Sequence, residues 1–212
     1  MRWSPAPFRD RTDAGRALGV AVRAHWARPD VVLGLPRGGV PVAAEVAAAL
    51  GAPLDVFVVR KLGVPGQPEL AMGAIASGGL RVLNDHVVER LAIPQSRIDD
   101  VAAAESVELE RREQAYRGDR PPLVLTGRSV VLVDDGLATG ATVLAAVVAV
   151  RAAGASPVVV AVPVGSPEAC RRVGELADDV VCLSAPATFS AVGEHYADFR
   201  QTSDEEVRRL LA

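Results

Sequence analysis

The pattern of apolar and polar positions predicts strands and helices in regular succession. Short, mainly apolar runs, typical of strands buried on both faces, lie at 31–35, 54–60, 129–134, 157–163 and 179–183. Segments with apolar residues at helical spacing lie at 10–28, 40–50, 84–117 with an interruption near Pro94, 140–153 and 167–177. Strands that alternate with helices predict an α/β fold, with a doubly wound, mainly parallel sheet flanked by helices.

Residues 61–80 break this alternation. They contain five glycines and two prolines and show no sustained period. A long stretch of this kind inside a compact domain is usually a functional loop, so we expect a flexible loop here. The chain has no internal repeat, and we expect one domain over 1–212. We place its core at about 10–183, a helical insertion at 84–117 and a separate C-terminal segment at 184–212.

Composition narrows the classes of protein to which this chain can belong. A length of 212 residues, half of them hydrophobic, is enough to bury a core. A formal net charge of -3 gives no basic surplus, so no nucleic-acid partner is expected. Cys170 and Cys182 form no CxxC pair and are interpreted as reduced structural thiols. Because no signal-peptide or membrane-spanning run is found, we expect a soluble, cytoplasmic protein without a membrane partner.

Two acids followed by a small-residue turn, residues 134–142, form the most informative segment, named here the acid loop. The turn leads into a predicted helix, whose free N–H groups and dipole favour an anion, and Thr139 and Thr142 add hydroxyl groups. Asp134 and Asp135 would repel that anion. They suit sugar hydroxyls, or a hydrated Mg²⁺, beside it. A plainer alternative is a polar turn in which Asp135 caps the next helix.

The acid loop with its preceding strand, VVLVDDGLATGAT (130–142), resembles the phosphoribosyl pyrophosphate (PRPP) binding motif of type I phosphoribosyltransferases. The resemblance is closest to the form seen in adenine phosphoribosyltransferases. It implies that Asp134 and Asp135 bind the ribose hydroxyls and act in catalysis. It implies that the 5′-phosphate is wrapped by Ala138, Thr139, Gly140, Ala141 and Thr142. Ala138 stands where enzymes for hypoxanthine and guanine carry an Asp, so that candidate general base is missing.

A second loop, Pro36-Arg37-Gly38-Gly39, is named the glycine loop. Consecutive glycines let backbone N–H groups approach an anion, and Arg37 adds a charged fork, although a simple turn fits the residues equally well. The loop is similar to the family's pyrophosphate loop, in the Arg-Gly-Gly form of bacterial xanthine–guanine enzymes. The resemblance implies that all four residues bind pyrophosphate and that Arg37 acts in catalysis. It also implies a non-proline cis peptide at or next to Pro36–Arg37.

Arg60 and Lys61 follow the second predicted strand and by themselves could be solvated cations. The resemblance implies that both bind pyrophosphate, that Lys61 acts in catalysis and that the loop 61–80 closes over the site, excluding water. The ends of the strands at 31–35, 54–60 and 129–134 are expected at one edge of the sheet, so these three elements should share a site.

The C-terminal stretch Phe189-x-x-Val192-Gly…Asp198-Phe199 resembles, with one inserted residue, the hood of hypoxanthine–guanine enzymes. We name residues 184–212 the hood. The resemblance implies that Phe189 and Val192 contact the acceptor base and that Asp198 contacts a metal or pyrophosphate. The alternative is that Phe189 and Phe199 are core residues and Asp198 caps the last helix. His195 is interpreted as an ordinary loop histidine.

The resemblance implies a cytoplasmic, Mg²⁺-dependent phosphoribosyltransferase of nucleotide salvage. It would transfer 5-phosphoribose from PRPP to a nitrogenous, purine-like acceptor and release pyrophosphate. Mg²⁺ would bind mainly through PRPP and water, and a homodimer is expected. The alternative on the same fold is a non-catalytic PRPP-sensing regulator or a nucleic-acid-binding protein.

Overall fold

Two sheets, one parallel and one antiparallel, organise the chain. The computed structural model describes residues 8–26 and 28–212, without the side chains of Pro68 and Glu69. The strands are β1 Val31–Gly34, β2 Leu54–Val56, β3 Val59–Val64, β4 Gln67–Ala76, β5 Leu80–Leu83, β6 Val130–Val133, β7 Val158–Val164 and β8 Asp179–Ser184. The helices are α1 Arg11–His25, α2 Gly39–Leu50, α3 Asp85–Arg90, α4 Gln95–Arg117, α5 Ala141–Ala152, α6 Pro167–Gly174 and α7 Asp204–Leu211, with a 3-10 turn at Val192–His195.

The larger sheet has the strand order β2-β1-β6-β7-β8, and all its strands are parallel. Helices α1 and α2 pack on one face through residues such as Leu18 and Val46, while α5 packs on the other through Ala146 and Val150. This confirms the predicted doubly wound fold. The strand order reverses between β1 and β6, so the loops that follow these two strands leave the sheet side by side.

Residues 59–83 form the antiparallel sheet β3-β4-β5. The prediction of irregular structure over 61–80 was therefore wrong, as was a single strand over 54–60. The glycines that suggested a loop lie partly in the tight turns between the strands, where Gly66 and Gly78 have φ of 82° and 80°. The strands themselves alternate: Leu62 packs towards α4, whereas Val59 packs towards α5.

The helices expected over 84–117 are α3 and α4, with Pro94 at the break between them. Helix α4 covers the antiparallel sheet through Ile98, Ala102 and Leu109.

Cys170 and Cys182 are free and half-buried. The predicted first helix ends at His25, and residue 27 of its expected range lies outside the described residues. Within the described part of the chain, no helix combines the length and apolar character that a membrane crossing needs.

Candidate active site

A cavity of about 160 Å³ lies where the acid loop joins β6 to α5. It is lined by Asp134, Gly136, Leu137, Ala138, Thr139, Gly140, Ala141, Thr142, Val143 and Val192. Helix α5 begins at Ala141, directly after Gly140, which has a left-handed φ of 73° and allows the chain to turn into the helix. The structure thus brings Asp134, the two threonines and the start of a helix to one cavity, whereas Asp135, which was expected beside them, does not line it.

The acid loop is anchored to the end of β7. The N–H of Leu137 donates to the carbonyl of Val164 at 2.9 Å, and the N–H of Ser166 donates to the carbonyl of Leu137 at 2.8 Å. The Ser166 hydroxyl donates to the carbonyl of Ala138 at 2.8 Å and also caps α6 by accepting from the N–H of Ala169 at 3.1 Å. These bonds hold the turn open towards the cavity. Ser166 before Pro167 and Glu168 is typical of a helix start, whereas no pattern in the sequence indicates the contact with Ala138.

The two acids have different surroundings. The Asp134 carboxylate lines the cavity and accepts a 2.9 Å hydrogen bond from the N–H of Asp135. Burial, with the adjacent Asp135 charge, raises the pKa of Asp134 well above 3.8. Asp135 Oδ2 accepts from Arg11 Nε at 2.8 Å and lies 2.7 Å from Arg11 Nη2.

Burial also raises the pKa of Asp135, and Arg11 opposes that shift. The N-cap residue of helix α5 is Gly140, which has no side chain, and the Asp135 carboxylate is bound to Arg11 instead. The alternative in which Asp135 caps this helix was therefore wrong.

The glycine loop lies directly against the acids. A Cβ atom on Gly38 would stand 2.0 Å from Asp135 Oδ2, and one on Gly39 would stand 2.6 Å from the Val133 carbonyl oxygen. Only glycine permits this approach. The peptide between Pro36 and Arg37 is cis, which confirms the expectation for this position.

Arg37 extends from the glycine loop towards α7, where its Nη1 lies 3.5 Å from Asp204 Oδ1. The same oxygen accepts a 2.8 Å hydrogen bond from the hydroxyl of Tyr116, in α4. Burial and this bond raise the pKa of Tyr116 to about 12, so the phenol is the donor at neutral pH. The helical insertion thereby reaches the edge of the site through Asp204.

Arg60 and Lys61 are consecutive in β3 and so face opposite sides of the antiparallel sheet. Arg60 faces α4, where its Nε donates to Glu105 Oε2 at 2.7 Å. Lys61 shares the opposite face with Val59, which packs in the core that contains α5. The structure therefore separates the two cations. Their expected roles in binding pyrophosphate stay predictions, and the ion pair with Glu105 favours Lys61 over Arg60 for such a role.

The hood meets the acid loop through Val192. A Cβ atom on Gly136 would stand 2.6 Å from Val192 Cγ1, and Val192 lines the cavity. Phe189 stacks on the ring of His195, with centroids 5.5 Å apart, and packs against the hydrophobic cluster around Tyr196. The structure thus brings Val192, but not Phe189, to the cavity.

Asp198 is exposed and pairs with Arg200, 3.4 Å from its Nη1. It does not cap α7, since Ser203 does so by accepting from the N–H of Glu206, and that alternative was wrong. In the described residues no three His, Cys, Asp or Glu side chains are grouped as a metal site would require. A metal role for Asp198 stays a prediction that no neighbouring ligand supports.

A model of the phosphoribosyl transferase domain matches residues 12–198. The chain belongs to the phosphoribosyl transferase family. Proteins from two strains of Mycobacterium tuberculosis, H37Rv and CDC 1551, each provisionally named a phosphoribosyl transferase, are 54% identical over 204 residues. The match covers 96% of this chain and 46% of theirs, so the chain spans about half the length of these relatives.

The crystal structure of TT1426 from Thermus thermophilus is similar to this phosphoribosyl transferase domain along almost its whole length. The TM-score is 0.90 with 48% sequence identity, and the alignment covers 97% of both chains. A likeness of this extent includes the antiparallel sheet and the helical insertion, so both are shared parts of the fold rather than local additions.

Two residues that hold the acid loop in place were not anticipated from the sequence. Arg11, at the start of α1, binds Asp135, which lies 124 positions away along the chain. Tyr196 donates its hydroxyl to the Asp135 carbonyl at 2.6 Å, and an isolated bridge to Phe8 ties the hood to the N-terminal segment. No spacing pattern marks such distant partners; their contacts became visible only in the folded structure.

Proposed function

We propose that this chain transfers the 5-phosphoribosyl group of PRPP to a nitrogenous, purine-like acceptor and releases pyrophosphate. Membership of the family supports phosphoribosyl transfer in general. The observation that carries the proposal is the 160 Å³ cavity, which has the Asp134 carboxylate at one end and the beginning of α5 at the other. A molecule with both sugar hydroxyls and a phosphate suits these two ends.

In this proposal each part of PRPP meets a different element. The 5′-phosphate accepts hydrogen bonds from backbone N–H groups at the start of α5 and from the hydroxyls of Thr139 and Thr142. The ribose hydroxyls donate to the acid pair. The pyrophosphate lies along the glycine loop, which touches the acids through Gly38, and Lys61 and Arg37 neutralise its charge.

The reaction requires the C1–oxygen bond to break, with its electron pair leaving on pyrophosphate. Positive charge develops on the ribose ring, and carboxylates held beside the ring stabilise that charge. The acceptor nitrogen then forms its bond to C1 with its lone pair and gives up a proton. Ala138 supplies no base for that proton, and in this proposal the proton passes to solvent.

Mg²⁺ suits this arrangement as a companion of PRPP. Aspartate oxygens are hard ligands of the kind that Mg²⁺ prefers, and this ion usually binds through one or two carboxylates, water and substrate phosphates. Asp135 Oδ2 is already bound to Arg11, so Asp134 is the better placed of the two acids to approach such an ion. When bound, Mg²⁺ would neutralise charge on the leaving pyrophosphate.

The acceptor would enter beneath the hood. Val192 gives the cavity an apolar wall on that side, and a planar base can pack against such a wall. This placement supports a purine-like acceptor without selecting one base. Phe189 would act from the hood's interior, where it stacks on His195.

Calorimetry with PRPP in the presence and absence of Mg²⁺ tests donor binding. The double variant Asp134→Asn with Asp135→Asn is expected to lose PRPP binding. A matched control is Asp99→Asn with Asp100→Asn, an adjacent pair of acids on the exposed surface of α4, which is expected to bind PRPP normally. Unchanged binding in the first double variant would contradict the assignment of the acids.

Turnover is tested by measuring pyrophosphate release with a panel of purines, pyrimidines and small amines. Release with a purine supports the proposal and identifies the acceptor. Silence across the panel, with PRPP binding intact, would favour the non-catalytic regulator. Tight, salt-sensitive binding of RNA or DNA would favour the nucleic-acid alternative.

A further inference from the structure

Arg11 is held on three sides beside the acid pair. Its Nε donates to Asp135 Oδ2 at 2.8 Å and its Nη1 donates to the carbonyl of Arg200 at 2.8 Å. The guanidinium carbon lies 4.0 Å from the centroid of the Phe199 ring, a cation–π contact. Only 12% of the side chain is exposed. A surface arginine serving only solubility would not be enclosed in this way.

The Arg11 contacts leave one side of the Asp135 carboxylate unused. Nε and Nη2 both bind Oδ2, and no other side chain in the described residues donates to this carboxylate. The backbone of Asp135 is fixed as well, because its carbonyl accepts from the hydroxyl of Tyr196 at 2.6 Å. Its N–H in turn donates to Asp134 Oδ1, so the placement of Asp135 also sets that of the acid lining the cavity.

We propose that Arg11 is a positioning residue for the ribose hydroxyls, acting through Asp135 on the acid pair. This inference rests on the proposed function, since it assumes that the acids receive a ribose. The planar guanidinium binds Asp135 Oδ2 through both Nε and Nη2, and it therefore fixes the direction in which the carboxylate points. Because Arg11 also binds the hood backbone at Arg200, one side chain couples the acids to the element expected to cover the acceptor.

The proposal separates two ends of the same cavity. The phosphate end, around Thr139 and Ala141, follows Leu137 and Ala138, which bind Val164 and Ser166, and in the described structure Arg11 makes no hydrogen bond to it. Loss of Arg11 should therefore weaken recognition of the sugar hydroxyls and spare recognition of phosphate. A purely structural role would weaken both ends together or neither.

The test measures binding of inorganic phosphate, ribose 5-phosphate and 2-deoxyribose 5-phosphate by calorimetry to the full chain. The unaltered protein is expected to favour the ribose compound over the deoxy compound by about tenfold, the value of a hydrogen bond to a charged group. In Arg11→Met that preference is expected to vanish, with phosphate affinity unchanged. Arg16→Met, on the exposed side of the same helix, is the matched control and keeps the preference.

A second variant covers the case in which Arg11→Met does not fold. Arg11→Lys retains the charge but lacks the planar fork, and it is expected to lose most of the preference. Undiminished preference in a folded Arg11→Met or Arg11→Lys variant would overturn the positioning role while leaving the proposed function intact. If the unaltered protein binds neither PRPP nor ribose 5-phosphate, the proposed function fails, and the inference fails with it.

Discussion

The hydroxyl of Ser166 donates a hydrogen bond to the carbonyl of Ala138 at a distance of 2.8 Å. One serine therefore performs two tasks, since its oxygen also caps α6 by accepting from the N–H of Ala169. The bond to Ala138 links β7 and α6 to the acid loop, and the bond from Ala169 stabilises the start of α6. The loop is thus fixed by a neighbouring strand and helix as well as by its own glycines.

Replacing Ser166 by Ala is expected to affect stability and ligand binding together. Loss of the cap should lower the free energy of unfolding by about 1 kcal/mol. Loss of the bond to Ala138 should weaken phosphate binding about fivefold, because a typical hydrogen bond contributes about 1 kcal/mol. Denaturant unfolding and calorimetry with inorganic phosphate measure the two effects.

The control for Ser166 is Asn84→Ala, which removes the cap of α3 at the antiparallel sheet, away from the acid loop. It should lower stability to a similar degree and leave phosphate binding unchanged. If both variants bind phosphate normally, the bond to Ala138 has no part in holding the loop.

Gly38 is a second position where the acid and glycine loops depend on each other. Its φ of -62° is ordinary for any residue, so alanine there creates only a steric conflict, with Asp135 Oδ2 at 2.0 Å from the new Cβ. Gly38→Ala should cost about 1–3 kcal/mol of stability and abolish detectable PRPP binding. Gly174→Ala, where the new atom would meet only Val180 at 3.8 Å, should be nearly neutral in both thermal unfolding and PRPP titration.

At pH values above 3.8, the ordinary pKa of an aspartate, Asp134 is expected to lower the free energy of unfolding of the ligand-free protein. Its pKa is raised in the folded chain by burial. With rising pH the unfolded state therefore loses this proton first, and the stability of the folded state falls from about pH 4 upward until the raised pKa is passed. Asp134→Asn removes this component and should stabilise the protein at neutral pH by about 0.5–2 kcal/mol.

Urea unfolding from about pH 4 to about pH 8 tests this prediction. The stability difference between Asp134→Asn and the unaltered protein should grow with pH. The Asp134→Asn variant should also bind PRPP more weakly than the unaltered protein does. A difference independent of pH would show that Asp134 titrates as an ordinary exposed acid.

The parallel sheet was predictable because its strands are uninterrupted apolar runs such as 130–133 and 158–164, which few other structures would bury. The antiparallel sheet was not predictable by the same means. Its alternation is carried by only a few apolar side chains, among them Leu62 and Met72, and glycines interrupt it both at turns and within β4. Glycine occurs both in turns and at strand positions where another part of the chain packs closely, and the sequence does not distinguish these two cases.

The candidate site divides in a similar way. Apart from Val192, the residues that line the cavity lie close together at 134–143, so most of its composition could be predicted from one segment of the sequence. The partners that fix it come from distant segments: Arg11 and Tyr196 both bind Asp135. A long-range ion pair leaves no spacing signal, and polar residues on amphipathic helices normally face solvent, so these contacts required the structure.

Lys61 and Arg60, adjacent in β3 but on opposite faces, give the last prediction. Lys61→Ala should weaken pyrophosphate binding about fivefold to tenfold, because it removes a cation from the face that packs towards α5. Arg60→Ala should leave that affinity unchanged. It removes the ion pair with Glu105, in which each side chain is 29% exposed, and such a pair contributes about 0–1 kcal/mol to stability. Calorimetry with pyrophosphate compares the two variants directly, and equal losses of affinity in both would show that the strand does not divide the roles of its two cations.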